Sequence, residues 1–233
     1  MWLQPAEWEA LWLSLRVAAT ATVLVAVPGV ALGWLLARKR FRGRLLLDGI
    51  VHLPLVLTPV VVGYLLLLIV GRQGLLGGVL DAAGVQLAFT TAGAVLAAAV
   101  MALPLVVRSV RTAVELVDPS LEEAAAVLGA GPWRRFRTVT LPLAMPGVVA
   151  GVVLGFARSV GEFGATITLA GSLAGETRTL PLAIFGELQK PGGDASSLRL
   201  TLLSVALSLA ALVASEWFLR HLRDRGRGPG GQS

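Results

Sequence analysis

Five long apolar stretches constrain this chain more than any other feature of its sequence. They cover approximately residues 10–36, 46–70, 87–107, 143–170 and 200–219. A helix needs about 20 apolar residues to cross the hydrocarbon core of a bilayer. Charged residues make up only 15% of the chain, whereas soluble domains carry about 25%. We therefore predict an all-α polytopic membrane protein with about five transmembrane helices, which forms one domain over residues 1–233.

Three shorter segments refine this prediction. Pro54 and Pro59 fall inside the second stretch and predict a kinked helix there. Residues 181–188, PLAIFGEL, are apolar but too few to span, which favours a short re-entrant or interfacial helix on the periplasmic side. Residues from about 223 to 233 are basic and rich in glycine, and we expect them to form a disordered tail.

The residue inventory excludes several kinds of chemistry. The chain has no cysteine, so it contains neither disulfides nor cysteine metal sites. His52 and His221 lie far apart in the sequence and suggest no metal site. Neither Lys39 nor Lys190 lies in a glycine-rich phosphate loop, so the chain has no ATPase site of this type. We expect a protein that is not itself an enzyme and that holds no cofactor.

Basic residues are distributed unevenly around the apolar stretches, and this predicts the topology. Cytoplasmic ends of transmembrane helices are enriched in lysine and arginine. Of the twenty such residues, we assign fourteen to cytoplasmic segments: Arg38, Lys39, Arg40, Arg42, Arg44, Arg108, Arg111, Arg134, Arg135, Arg137, Arg220, Arg223, Arg225 and Arg227. This predicts an N-terminus outside and a C-terminus in the cytoplasm, which requires an odd number of crossings. It also accounts for the net charge of +6 without a nucleic-acid partner.

A charged loop between the third and fourth stretches, over about residues 112–142, carries several helix signals. Asp118 is a favourable N-cap and Pro119 fits the first helical position, which predicts a helix from about 119 to 128. Gly129 can end that helix in a left-handed conformation. A second short helix is expected from Pro132, and Leu141-Pro142 is expected to break the chain before the fourth span.

One face of the predicted helix carries small and apolar residues at helical spacing, and its first turn is acidic. Such a helix suits a groove on a partner protein. Along the loop, the sequence reads Glu-Ala-Ala, three residues, Gly, nine residues, Val, one residue, Leu-Pro. The residues concerned are Glu122, Glu123, Ala124, Ala125, Leu128, Gly129, Leu141 and Pro142.

This spacing resembles the signature loop of ABC importer permeases, with valine in place of the commoner isoleucine. The resemblance implies that the loop docks onto a cytoplasmic ATPase and transmits ATP-driven motion into the membrane. It further implies a homodimer with two ATPase subunits, which hold ATP and magnesium, and an extracytoplasmic binding protein. A secondary transporter or channel that works without ATP is the alternative from a different class.

The fourth stretch contains two further patterns. Gly147, Gly151 and Gly155 recur every four residues, so one helix face permits close backbone contact, either within the chain or across a dimer. Arg158 and Glu162 also lie four apart and therefore share a helix face. Two compatible interpretations are a buried ion pair and a gate that faces a central path.

The sequence around this charge pair, FARSVGEFGAT, resembles the molybdate branch of these permeases. It includes Gly161, Phe163 and Gly164, and the glycines would permit a bend. The same branch resemblance extends to residues 52–64, 93–101, 175–179 and 191–193. It implies a molybdate permease of the bacterial inner membrane. Sulfate, thiosulfate or tungstate remains the alternative substrate, because sulfate nearly matches molybdate in charge and shape.

Overall fold

The computed structural model describes residues 4–226, which form α-helices, one π-helical segment and connecting loops without any β-strand. The helices are α1 (Pro5–Arg38), α2 (Arg44–Val56), α3 (Pro59–Val70), α4 (Gly77–Ala82), α5 (Thr91–Glu115), α6 (Pro119–Val127), α7 (Pro132–Arg135), α8 (Leu141–Val160), α9 (Gly164–Ala170), α10 (Leu180–Leu188) and α11 (Asp194–Gly226). The π-helical segment, Phe136–Thr140, joins α7 to α8.

Four helical segments within this range are long and apolar enough to cross a membrane: Pro5–Arg38, Thr91–Glu115, Pro132–Val160 and Asp194–Ala211. Helices α2 and α3 meet the same test only as a pair, which is bent by 119°. The prediction of a multi-pass all-α membrane protein with about five spans is therefore confirmed.

The second span differs from the single kinked helix that we predicted. The chain is extended at Leu57 and Thr58, whose ψ angles are 149° and 142°. Pro59 explains the break, because its ring disfavours helical geometry in the preceding residue and it lacks the N–H of a continuous helix. Pro54, by contrast, lies inside α2 and does not end it.

Helix α5 is the centre of the bundle and lies between α1 and α8. Side chains of these three helices form the largest buried apolar cluster. Gly29 and Gly33 of α1 lie against Val106 and Val110 of α5, so α1 and α5 run in the same direction. Both therefore carry the chain from one end of the bundle to the other.

The chain between α1 and α5 must consequently return along the bundle. Asp48 of α2 contacts Arg111 near the end of α5. Val62 of α3 packs with Ala97 and Met101, which are closer to the start of α5. Counted as one span, the bent α2–α3 pair brings the candidate crossings within residues 4–226 to five.

The short helix predicted at 181–188 is present as α10, at the end of the bundle where α1 begins. Leu180 packs with Ala10 and Leu200, and its N–H donates to Ser14 Oγ at 2.6 Å. Nearby, Arg199 Nη2 of α11 lies 2.8 Å from Glu7 Oε1 of α1. These contacts attach α10 and the start of α11 to the first turns of α1.

The predicted break at Leu141-Pro142 is wrong, because the helical path continues from Pro132 to Val160. The Leu141 N–H donates to Phe136 O, five residues earlier, as in a π-helix. This wider turn accommodates Pro142, which cannot donate an ordinary helical hydrogen bond.

Two other boundaries also differ from prediction. The fourth span ends at Val160, and residues 164–170 form the separate helix α9. At the C-terminus, α11 continues through Gly226, so the first four residues of the predicted disordered tail are helical. Arginine and leucine, which are frequent just before Gly226, are good helix formers and extend the preceding apolar helix. The remainder of the predicted tail, residues 227–233, lies outside the described residues.

Candidate functional site

Helix α6, the predicted partner-docking helix, is closed at both ends by local hydrogen bonds. At its start, the Ser120 N–H donates to Asp118 Oδ1 at 2.9 Å, and this bond lowers the pKa of the Asp118 carboxyl. At its end, Gly129 adopts a φ of +82°, and the N–H of Ala130 donates to Ala125 O. This is a Schellman C-cap, which a residue other than glycine would strain. The short helix is thus defined by its own sequence.

The surface of α6 is largely uncovered. None of its residues is buried, and Glu123, Ala124 and Gly129 are all exposed. Val127 and Leu128, at its C-terminal end, are 88% and 87% exposed. Two large apolar side chains so exposed beside small residues are typical of a surface that a partner covers.

Glu122 is the exception, because it points toward the rest of the chain. Its Oε1 accepts hydrogen bonds from Arg38 Nε at 3.1 Å and from Thr140 Oγ1 at 2.8 Å. Arg38 also donates to Val117 O at 2.7 Å. This set of contacts, the Arg38–Glu122–Thr140 latch, ties α6 to the end of α1 and to the start of α8.

Sequence reasoning grouped Glu122 with the partner-facing residues and used Arg38 only as a topology marker. The latch joins residues 84 and 18 positions apart in sequence, so no local pattern indicates it. Leu141 belongs to the same junction, since it packs against the cluster of α1, α5 and α8, whereas Pro142 is exposed. The end of the signature motif is therefore anchored to the bundle while its beginning lies free on α6.

The glycine face of α8 packs within the chain. A Cβ atom on Gly147 would lie 2.2 Å from Ala113 Cβ, and one on Gly151 would lie 2.9 Å from Ser109 Cβ. Gly155 is similarly close to Val106. Ser109 Oγ also donates to Gly147 O at 3.0 Å. Small residues here allow α8 and α5 to approach at backbone distance, in antiparallel directions.

Arg158 and Glu162 form the ion pair that their spacing predicts. Arg158 Nη1 lies 2.6 Å from Glu162 Oε2, and the two side chains are 26% and 1% exposed respectively. Glu162 Oε1 accepts the Ala165 N–H at 2.8 Å. Oε2 makes no hydrogen bond of ordinary geometry to any side chain described by the structure, so its contact with Arg158 is an ion pair by distance.

The ion pair lies where two broken helices meet. Glu162 falls in the gap between α8 and α9, and α9 starts at Gly164. A Cβ atom on Gly164 would lie 2.8 Å from Pro59 Cβ, at the start of α3. Phe163 packs on Phe185 of α10, with ring centroids 5.1 Å apart. The sequence predicted the bend beside Gly161 and Gly164. It gave no sign that this bend between α8 and α9 lies against the break between α2 and α3, before Pro59.

A groove of about 860 Å³ between α5 and α8 connects the bundle to the loop. Arg108 and Ser109 of α5, Leu154 of α8, and Asp118 and Leu121 of the loop contribute to its walls. A displacement of α6 would therefore change the shape of this groove. Among the side chains that the structure describes, those of residues 4–211 and 213, no cluster of three or more histidine, cysteine or acidic groups could hold a metal ion.

Comparison with known proteins agrees with this architecture. Residues 29–224 match the family described as "Binding-protein-dependent transport system inner membrane component". The chain is 53% identical, over 97% of its length and 99% of the relative, to the molybdenum transport system permease protein ModB of Escherichia coli (strain K12). It is 50% identical to the protein of that name from Haemophilus influenzae, over 94% of this chain and 96% of the relative.

A solved structure shares the fold at much lower identity. It belongs to a bacterial ABC transporter involved in the import of the acidic polysaccharide alginate. The TM-score is 0.77 at 16% identity, and the match covers 94% of this chain and 80% of the other. From the match over residues 29–224 and these near full-length relatives, the chain belongs to the family of binding-protein-dependent transport system inner membrane components, the permease subunits of ABC transporters.

Proposed function

We propose that this chain is the permease subunit of an ATP-driven importer that brings molybdate across the bacterial inner membrane. The assignment of molybdate as the substrate rests on the 53% identity to a molybdenum permease over nearly the whole of both chains. The chain has no phosphate-binding loop of the Gly-Lys-Ser/Thr type, so ATP and magnesium are held by a partner chain. Two ATPase subunits, a second copy of this permease and an extracytoplasmic molybdate-binding protein complete the assembly.

Helix α6 is the part of the chain that docks onto the ATPase. Glu123, Ala124, Ala125 and Leu128 form its docking surface, and Gly129 ends the helix so that the chain leaves that surface. Its exposed small and apolar residues support this role, because they permit close approach of a partner groove. Movement of α6 passes into the bundle by two routes. One is the continuous helical path from Pro132 into α8, and the other is the latch to α1.

The junction of the two broken helices forms a gate in the outer half of the membrane. It consists of Arg158, Gly161, Glu162, Phe163 and Gly164. Support comes from the two helix breaks, which permit the segments on either side to rotate separately, and from the partly exposed Arg158. Glu162 neutralises Arg158, so a passing dianion meets a weak site. Conduction requires such a site, because the ion must leave again.

The proposed orientation places the N-terminus outside and α6 in the cytoplasm. Because the chain has no cysteine, single cysteines can report on it. Glu9 and Ala126 are exposed and lie toward opposite ends of the bundle. In intact cells, an impermeant thiol reagent should label Glu9→Cys, whereas Ala126→Cys should be labelled only after permeabilisation. The reverse pattern would contradict the orientation.

Transport by the reconstituted assembly tests the function. Proteoliposomes that contain this chain and its ATPase, with the binding protein outside, should accumulate radioactive molybdate only when ATP is present inside. Molybdate should stimulate ATP hydrolysis more than sulfate does, with tungstate as a third comparison. Equal stimulation by sulfate would contradict the substrate assignment. Uptake by the permease without its ATPase would instead indicate a secondary transporter or channel.

A further inference from the structure

An apolar groove runs along the last part of α1 and is closed on its other side by residues 132–141, the last part of the charged loop. Its volume is about 810 Å³. The lining residues are Ala26, Val27, Val30, Ala31, Trp34 and Leu35 of α1, together with Pro132, Trp133, Phe136 and Leu141. From Ala26 to Leu35 the groove extends roughly 14 Å along the helix, at about 1.5 Å per residue. This is close to the depth of one leaflet, about half of a 30 Å hydrocarbon core.

A smaller polar pocket adjoins the groove at the end of α1. It has a volume of about 160 Å³ and shares Trp34, Pro132 and Phe136 with the groove. Its charged residues are Arg38, Lys39, Arg135 and Glu122. Three cations thus face one carboxylate, and the latch pairs that carboxylate with Arg38.

Among residues 4–211 and 213, whose side chains the structure describes, Lys39 and Arg135 have no carboxylate partner. The Arg135 Nε atom is buried, and none of these described side chains accepts its hydrogen bond. Lys39 Nζ lies 5.8 Å from the centre of the Trp34 ring, at the boundary between pocket and groove. The pocket therefore has a net positive charge and an unused buried donor directly beside an apolar channel.

We propose that the groove and pocket together bind one anionic phospholipid, with an acyl chain in the groove and the phosphate beside Arg135 and Lys39. The charge and the apolarity of the two cavities match the two parts of that molecule. Trp34 lines both cavities and Trp133 lines the groove, and such aromatic side chains are enriched at membrane interfaces. Basic pockets between transmembrane helices are known to suit anionic head groups. The bound lipid would fill the space between α1 and the start of the α8 path, next to the latch.

Lipid binding to the purified full-length chain in complex with its ATPase tests this proposal. Native mass spectrometry would follow titration with dioleoyl phosphatidylglycerol and, separately, with dioleoyl phosphatidylcholine. One nearby basic residue contributes about fivefold to the binding of an anionic lipid. Since Arg135 and Lys39 both lie beside the phosphate, we expect phosphatidylglycerol to bind about 25-fold more tightly. Arg135→Gln and Lys39→Gln should each reduce this preference about fivefold.

Two further variants separate the head-group and acyl-chain contributions. Ala31→Trp places a large ring in the groove and should weaken binding of phosphatidylglycerol while the basic residues remain. Arg72→Gln removes an exposed positive charge far from the groove and should leave the preference unchanged. Since Lys39 is exposed, its variant remains informative if the Arg135 variant folds poorly.

Several results would overturn the proposal. Equal affinity for the two lipids would show that the pocket does not bind an anionic head group. An unchanged preference for phosphatidylglycerol in Lys39→Gln and Arg135→Gln would show the same. Displacement of the lipid by millimolar inorganic phosphate would identify a pocket for a soluble anion instead. Binding that occurs in the isolated permease but disappears in the ATPase complex would show that a protein partner covers the groove.

Discussion

The charge pair of Arg158 and Glu162 is buried unevenly, and this predicts an unequal response to mutation. Glu162 is 1% exposed and Arg158 is 26% exposed. Arg158→Gln leaves a fully buried carboxylate whose one remaining strong contact is the Ala165 N–H. Loss of one partner from a buried pair costs about 3–5 kcal/mol, because the other charge is left uncompensated.

Glu162→Gln should be milder. A glutamine at this position can still accept the Ala165 N–H, and the partly exposed Arg158 can reach water. We expect a cost of about 1–2 kcal/mol, because the partly exposed ion pair with Arg158 is lost while the hydrogen bond from Ala165 is kept. The double variant should cost no more than Glu162→Gln alone, since no charge remains buried. The double-mutant cycle should then give a coupling at least as large as the cost of Arg158→Gln, about 3–5 kcal/mol.

The free energy of unfolding of the full chain in detergent, followed by tryptophan fluorescence during denaturation, measures these costs. Molybdate uptake by the reconstituted complex provides the functional readout. If Glu162→Gln destabilises the protein as much as Arg158→Gln does, burial does not determine the asymmetry. A double variant as unstable as Arg158→Gln would refute the pairing itself. A double variant that is stable but transports nothing would show that the charges act on the passing anion.

Two other contacts yield predictions of comparable precision. Gly147→Ala should destabilise the protein by about 1–3 kcal/mol through overlap with Ala113, and Ala113→Gly should restore it in the double variant. Gly186→Ala in α10 is the matched control, because the added Cβ meets no atom within 4 Å. This substitution should stabilise the helix by up to about 1 kcal/mol. Thermal denaturation should therefore show a lower melting temperature for Gly147→Ala and an unchanged or higher one for Gly186→Ala. Glu122→Gln should reduce unfolding free energy by about 1–2 kcal/mol through the latch. Glu123→Gln should instead leave stability within about 0.5 kcal/mol and weaken co-purification of the ATPase. If Glu122→Gln and Glu123→Gln had the same effects on stability and on co-purification, the two glutamates would not have separate roles.

The features that are determined by residues close together in sequence could be predicted well. The N-cap at Asp118 and the left-handed Gly129 bound α6 within one residue of the predicted helix, because both signals act over one turn. The ion pair of Arg158 and Glu162 followed from i,i+4 spacing for the same reason. The break before Pro59 was predicted only as a kink, since its full bend depends on how α3 packs against α9.

The sequence by itself determined that the chain crosses the membrane about five times and carries an exposed loop with a permease motif. The length of an apolar segment, the basic residues beside it and the caps of a helix are local properties of the sequence. Their interactions with water and lipid do not depend on how distant parts of the chain are packed. Only the tertiary structure decided that the glycine face of α8 meets α5 rather than another subunit. It also decided that Glu122 faces Arg38 while Glu123 faces outward. Both results depend on contacts between residues far apart in sequence, which form only when the helices pack together.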